Sequence, residues 1–132
     1  MLRCFLPVAL VTAVSIVAAS CGAADPDEAG AVRAAIADAI TSQQNTVTVT
    51  DPRTNSPIQL KFDHVHEGVE TTPGGRQVAC VDFRAADGTV YDVDYYVKRE
   101  NESYRVTDIV MHKAGAEDVL PSDERARLDS EQ

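Results

Sequence analysis

The hydrophobic pattern of the chain changes period once, near residue 45. Before that point apolar residues recur at helical spacing: Ala29, Val32, Ala35, Ile36, Ala39 and Ile40, with Arg33 and Asp38 on the other side. Asp25-Pro26-Asp27-Glu28 leads into this stripe. Asp25 suits an N-cap, Pro26 suits the first helical position, and Glu28 stands where a capping box places its acid. The pattern predicts a helix, about 25 Å long, ending near Ser42-Gln43-Gln44-Asn45. Its apolar stripe is mostly small, so it can lie close against a flat partner.

After residue 45 the period is two. Residues 46–50 alternate strictly, and Ile58, Leu60 and Phe62 alternate again in a strand that can run on to His66. Pro52 and Asn55 mark the turn between them, and Pro73-Gly74-Gly75 closes a loop read over residues 67–75. Residues 76–98 hold two apolar runs around Ala86-Asp87-Gly88, and Asp-Gly between alternating runs predicts a hairpin. Glu100-Asn101-Glu102 turns the chain into a last strand, Tyr104 to His112.

The strands can be registered from their turns, because paired residues share a face. A turn after Thr50 puts Val49 opposite Ile58. The loop before Arg76 puts Phe62 opposite Cys80. A two-residue turn at Asp87-Gly88 puts Cys80 opposite Tyr95 and Asp82 opposite Val93. The last turn puts Tyr95 opposite Val106 and Val93 opposite Asp108. One face then collects most of the apolar residues, from Val47 and Leu60 to Val97 and Val110, and it must be the face the helix covers. The other face carries Lys61, Asp63, Asp92, Asp94, Lys98 and Arg105, together with Val81, Phe83, Ile109 and Met111. The expected fold is α+β: one N-terminal helix packed on a curved antiparallel sheet of about five strands in meander order, over residues 25–113.

This element order resembles the cystatin-like class, which includes the nuclear-transport-factor-two-like cone. The resemblance implies a pocket between helix and concave sheet. The Gln-x-Val-x-Gly motif of cystatin protease inhibitors is absent, so it gives protease inhibition no support. Small lipoproteins of bacterial envelopes often use such a domain for binding or accessory roles.

The two ends differ from the middle. Met1-Leu2-Arg3 is positively charged, residues 5–19 are apolar around Pro7, and small residues follow. This makes residues 1–20 an export signal, too short for a stable membrane span. Ala18-Ala19-Ser20-Cys21 resembles the lipobox of bacterial lipoproteins, with Ala18 where that family usually has Leu. The resemblance implies that Cys21 becomes a lipidated N-terminus followed by a short tether, residues 21–24, and that the protein is membrane-anchored in the cell envelope. The alternative is secretion in soluble or periplasmic form, with a cut after Gly22-Ala23-Ala24. Residues 114–132 form an acidic tail, read as mostly solvated with room for a short helix from Ser122.

Charge and cysteines narrow the function. A net charge of −9 argues against nucleic acid as a partner and disfavours an anionic lipid surface. Once Cys4 leaves with the signal and Cys21 is lipidated, Cys80 has no disulfide partner and reads as a small buried hydrophobe. Asn101-Glu102-Ser103 has the form of a glycosylation acceptor, which a bacterial envelope would not use.

Three constellations could carry chemistry. In His64-Val65-His66-Glu67 the two imidazoles point the same way and could share one zinc or copper ion, with Glu67 or Glu70 as a further ligand. The register keeps His112 out of reach, three strands or about 14 Å away. Asp82 and Asp108 fall on the apolar face, where burial would raise their pKa and let one act as a general base. Tyr91 and Tyr95 could then orient a ligand, and Arg84 could pair with Asp82. Asp92, Asp94 and Asp63 read as a charged surface. The expected function is a lipid-anchored envelope module that binds a small molecule or an envelope protein without catalysis or a cofactor. The alternatives are a pocket enzyme using Asp82 or Asp108, and a metal-binding module using His64 and His66.

Overall fold

The computed structural model describes residues 22–132, so the expected export segment, Cys4 and Cys21 lie outside the described residues. The elements run β1 (Gly22–Ala23), α1 (Pro26–Ser42), β2 (Thr46–Asp51), β3 (Ser56–Thr71), β4 (Gln77–Arg84), β5 (Val90–Glu100), β6 (Ser103–Ala114), β7 (Glu117–Asp118) and α2 (Ser122–Ser130). The fold is α+β, with one curled antiparallel sheet forming a half-barrel. Strands are ordered β1-β3-β4-β5-β6-β7, and β2 pairs with the opposite end of β3 from β1. Among the described residues, no helix is long and apolar enough to cross a membrane.

Helix α1 starts and ends where the pattern places it. Asp25 caps it by accepting a bond from the Asp27 amide at 3.0 Å. Glu28 does not complete a capping box. Its Oε1 accepts bonds from Gln77 Nε2 at 3.1 Å and the Tyr104 hydroxyl at 3.0 Å, tying the helix to β4 and β6. Val32, Ile36 and Ile40 sink into the sheet's inner face, against Leu60, Val81, Phe83, Val93 and Val97. Asp25→Ala is expected to cost ~1 kcal/mol, because one amide at the helix start loses its acceptor. A thermal melt checks this, and an unchanged midpoint would show that another group caps the helix.

The β2–β3 register is the expected one, with Val49 opposite Ile58. The central hairpin differs by one residue. Ala85, rather than Ala86, pairs with Thr89, through Ala85 N to Thr89 O at 3.0 Å, so the loop is Ala86-Asp87-Gly88. The Gly88 amide bonds the Ala85 carbonyl at 3.0 Å, Gly88 has φ +86°, and the Asp87 carboxylate holds the Thr89 amide at 2.9 Å. This is a type I turn followed by a left-handed glycine, the usual three-residue hairpin loop. The odd loop length puts Cys80 opposite Asp94 and Asp82 opposite Asp92.

A one-residue shift turns a whole strand over. Ala79, Val81 and Phe83 therefore face α1, and Cys80 and Asp82 face away, reversing the expected assignment for β4. Bulges in β6 have the same effect on Asp108. Tyr95 lies opposite Ile109 and Val93 opposite Met111, while Asp108 pairs with Tyr96 on the outer face. The expected placement of Asp82 and Asp108 on the helix-covered face is thus corrected for both. Phe62 lies opposite Phe83 rather than Cys80, and β3 continues through residues 67–71, where a loop was expected.

The tail forms the short helix expected from Ser122, and most of its residues are exposed, but the helix is docked. Helix α2 packs on the outer face of the sheet instead of standing in solvent. Leu128 is fully buried there, and the Tyr96 hydroxyl, on β5, donates to Asp129 at 2.9 Å. Gly74 lets the chain pass: a Cβ there would meet the Glu131 carbonyl oxygen at 2.1 Å.

Candidate metal centre on the outer sheet face

With β4 turned over, the outer face brings together residue types that the expected register separates. His64 lies opposite Asp82, and Asp82 lies opposite Asp92. His66 sits where β3 bulges, between the Val65–Val81 and Val69–Ala79 pairs. Such bulges re-aim side chains, and here His66 Nε2 comes to 3.0 Å from Asp82 Oδ1. His64 Nε2 stands 3.7 Å from Asp82 Oδ2. The two rings stack at 5.2 Å between centroids, with 26° between their planes.

Two imidazole nitrogens and one carboxylate oxygen lie within 4.8 Å of one another. A tetrahedral zinc ion with bonds near 2.0–2.1 Å needs its ligand atoms roughly 3.3 Å apart. The observed distances straddle that value. His64 and His66 are therefore brought together as the sequence suggests, but the third donor is Asp82. Glu67 contributes its backbone carbonyl to Arg33 Nη1 at 2.7 Å, and its side chain is exposed.

A second group lies beside the first. Cys80 Sγ is 3.1 Å from Asp94 Oδ1, and His112 Nδ1 is 3.3 Å from the same oxygen and 4.0 Å from Asp92 Oδ2. His112 occupies a bulge in β6, unpaired between Met111 and Lys113. That places it beside β5 and its two acids, not at the far end of the sheet. Asp94 is 1% exposed, so the charged-surface reading of Asp92 and Asp94 is also corrected. Arg125 of α2 supplies its counter-charge, at 3.0 Å from Asp94 Oδ2. Burial, and then the neighbouring Asp94 and Asp92 carboxylates, push the Cys80 thiol far up. Burial and Asp94 likewise raise Asp92. Asp63 pairs instead with Arg84, at 2.9 Å.

The remaining candidates are dispersed. Asp108 is bound to Arg76. Arg84 faces Asp63 and not Asp82. Tyr91 and Tyr95 belong to the core under α1, where Tyr95 stacks on Phe83 at 6.2 Å. Burial alone raises the Tyr95 phenol. An open groove of 710 Å³ beside the end of α1 reaches Tyr95, Val106 and Ile109, but neither acid lines it. This groove therefore does not gather Asp82 and Asp108 with the tyrosines. The second cluster escaped the sequence reading, although Cys80, the Asp-x-Asp of β5 and His112 were all visible. Their convergence depends on one loop length and one bulge. Comparison with protein-family models, curated proteins and solved structures finds no match.

Proposed function

We propose that this chain is an exported, lipid-anchored module of a bacterial cell envelope that binds a divalent transition-metal ion on the outer face of its sheet. The observation that carries the metal reading is the convergence of His64, His66 and Asp82. Two imidazoles and one carboxylate suit zinc or another borderline ion, and leave a position for water or for a donor from a partner protein. The half-exposed rings give an ion direct access from solvent. A binding role fits better than a pocket enzyme, since both acids that such an enzyme would use are engaged with cationic or imidazole side chains outside the helix–sheet core. The single long helix against a curled sheet is in keeping with the cystatin-like class, which supports a binding or accessory role. The anchor rests on Ala18-Ala19-Ser20-Cys21.

Zinc titration of the purified protein by calorimetry tests the metal reading. His66→Ala is expected to weaken zinc binding at least about tenfold, equivalent to ~1.4 kcal/mol. Binding unchanged in a His64→Ala/His66→Ala double variant would show that these residues are not the ligands. For the anchor, Cys21→Ser is expected to release the protein from membranes and abolish labelling by a fatty-acid probe. Unchanged labelling would rule out lipidation at that cysteine.

A further inference from the structure

The second cluster differs from the first in burial, donor type and contact with α2. It contains Cys80, Asp92, Asp94 and His112, whose ligand-type atoms all lie within 4.8 Å of one another. One of its buried atoms, Asp92 Oδ1, takes no hydrogen bond from the protein, and His112 Nδ1 makes none either, although it faces the Asp94 carboxylate at 3.3 Å. Buried polar atoms without partners are uncommon and call for an explanation. The cluster opens onto a cleft of 300 Å³, bordered by His66 on one side and Arg125 on the other. Three anionic or potentially anionic groups thus face one imidazole, and one guanidinium from the far helix holds one of them.

We propose that Cys80, Asp92, Asp94 and His112 form a second, thiolate-bearing transition-metal site, and that Arg125 is the built-in cation which an incoming metal ion displaces from Asp94. The donor set of sulfur, imidazole and carboxylate suits zinc, or cobalt as its probe. A bound divalent ion would hold the sulfur deprotonated. Binding forms a metal–sulfur bond and releases the Cys80 proton to solvent. No electron is transferred. By reciprocity, a metal ion that competes with Arg125 weakens one of the contacts that hold α2 to the sheet. The site shares no ligand with His64, His66 and Asp82, so it stands or falls apart from them.

The probe is cobalt(II), added to the purified full chain and followed by absorption. A cobalt–thiolate charge-transfer band is expected at one equivalent of this site. It should disappear in Cys80→Ser, weaken in His112→Ala and persist in the His64→Ala/His66→Ala double variant. The Cys80→Ser control also separates the signal from any contribution of Cys4 or Cys21, and circular dichroism establishes that this near-isosteric variant is folded. Arg125→Gln should raise cobalt affinity several-fold, since it removes the competing cation. Absence of the band at saturating cobalt, or its persistence in Cys80→Ser, would overturn the site. A fall in affinity in Arg125→Gln would overturn the competition.

Discussion

Val81→Asp is expected to unfold the protein, whereas Asp82→Ala one residue away is expected to leave it folded. Val81 is 0% exposed, packed under α1 with Phe83 and Val93. A carboxylate placed there loses its hydration and meets no cation. The cost is at least ~4 kcal/mol, of the order that single changes reach only for buried charges or collapsed cores. That is comparable with the whole stability of a typical domain, about 5–15 kcal/mol. Asp82 lies on the other face, partly solvated, where its tie to His66 is worth at most ~1 kcal/mol. Urea denaturation followed by circular dichroism measures both. The opposite ranking, a tolerated Val81→Asp beside a damaging Asp82→Ala, would restore the two-residue turn and return Asp82 to the core.

This pair of residues also shows how far the sequence could be read. Helix α1 was legible almost to the residue, because its cap, its proline and its stripe all act locally. Five of the strands were legible too, and so was the β2–β3 register, but β1, β7 and the far end of β3 were not. What failed was parity. Ala86-Asp87-Gly88 can make a two-residue or a three-residue loop, and both use a left-handed glycine after Asp. The difference lies in whether Ala85 pairs with Thr89, which no local pattern decides. Strand β4 did carry a hint. Val81 and Phe83 are better core residues than Cys80 and Asp82, and their burial with β5 unchanged required the odd loop.

The candidate site was legible in proportion. His64 and His66 share a side by strand geometry alone, and that much held. Asp82 and His112 joined the outer face only through loop length and bulges, which arise from packing between strands far apart in sequence. The docking of helix α2, whose start at Ser122 was expected, was hidden for a different reason. Its segment is strongly charged and offers one buried apolar residue, Leu128. Composition therefore read it as solvated, and the interactions that order it come from Arg76, just before β4, and from Tyr96 and Asp94 on β5.

Arg76→Met is expected to cost about 3 kcal/mol and to release α2 before the rest of the domain unfolds. The Arg76 side chain is 3% exposed and serves both sides of the sheet–helix junction. Its Nη1 donates to Thr107 Oγ1 at 2.8 Å and to the Asp108 carboxylate, and its Nη2 donates to the Leu128 carbonyl. The guanidinium lies over the Tyr96 ring, 4.8 Å from its centroid. Methionine keeps an apolar stem of similar reach but supplies no donor, so Asp108 loses its Arg76 donor and Leu128 O keeps only the Glu131 amide, at 3.3 Å. Asp108 is 32% exposed and can rehydrate, which holds the cost to the lower part of the range for breaking buried pairs. With Arg76 gone, α2 loses a buried, charge-assisted tie to the sheet side of the junction, so the helix lifts. Arg76→Lys should recover little, since one compact ammonium cannot span three acceptors or stack on the ring as a planar fork does. Hydrogen exchange reads the result. Amides of α2 should lose protection in Arg76→Met while those of β4 and β5 keep most of theirs. Full protection of α2 in that variant would mean that Leu128 burial, Tyr96–Asp129 and Arg125–Asp94 suffice to hold the tail without Arg76.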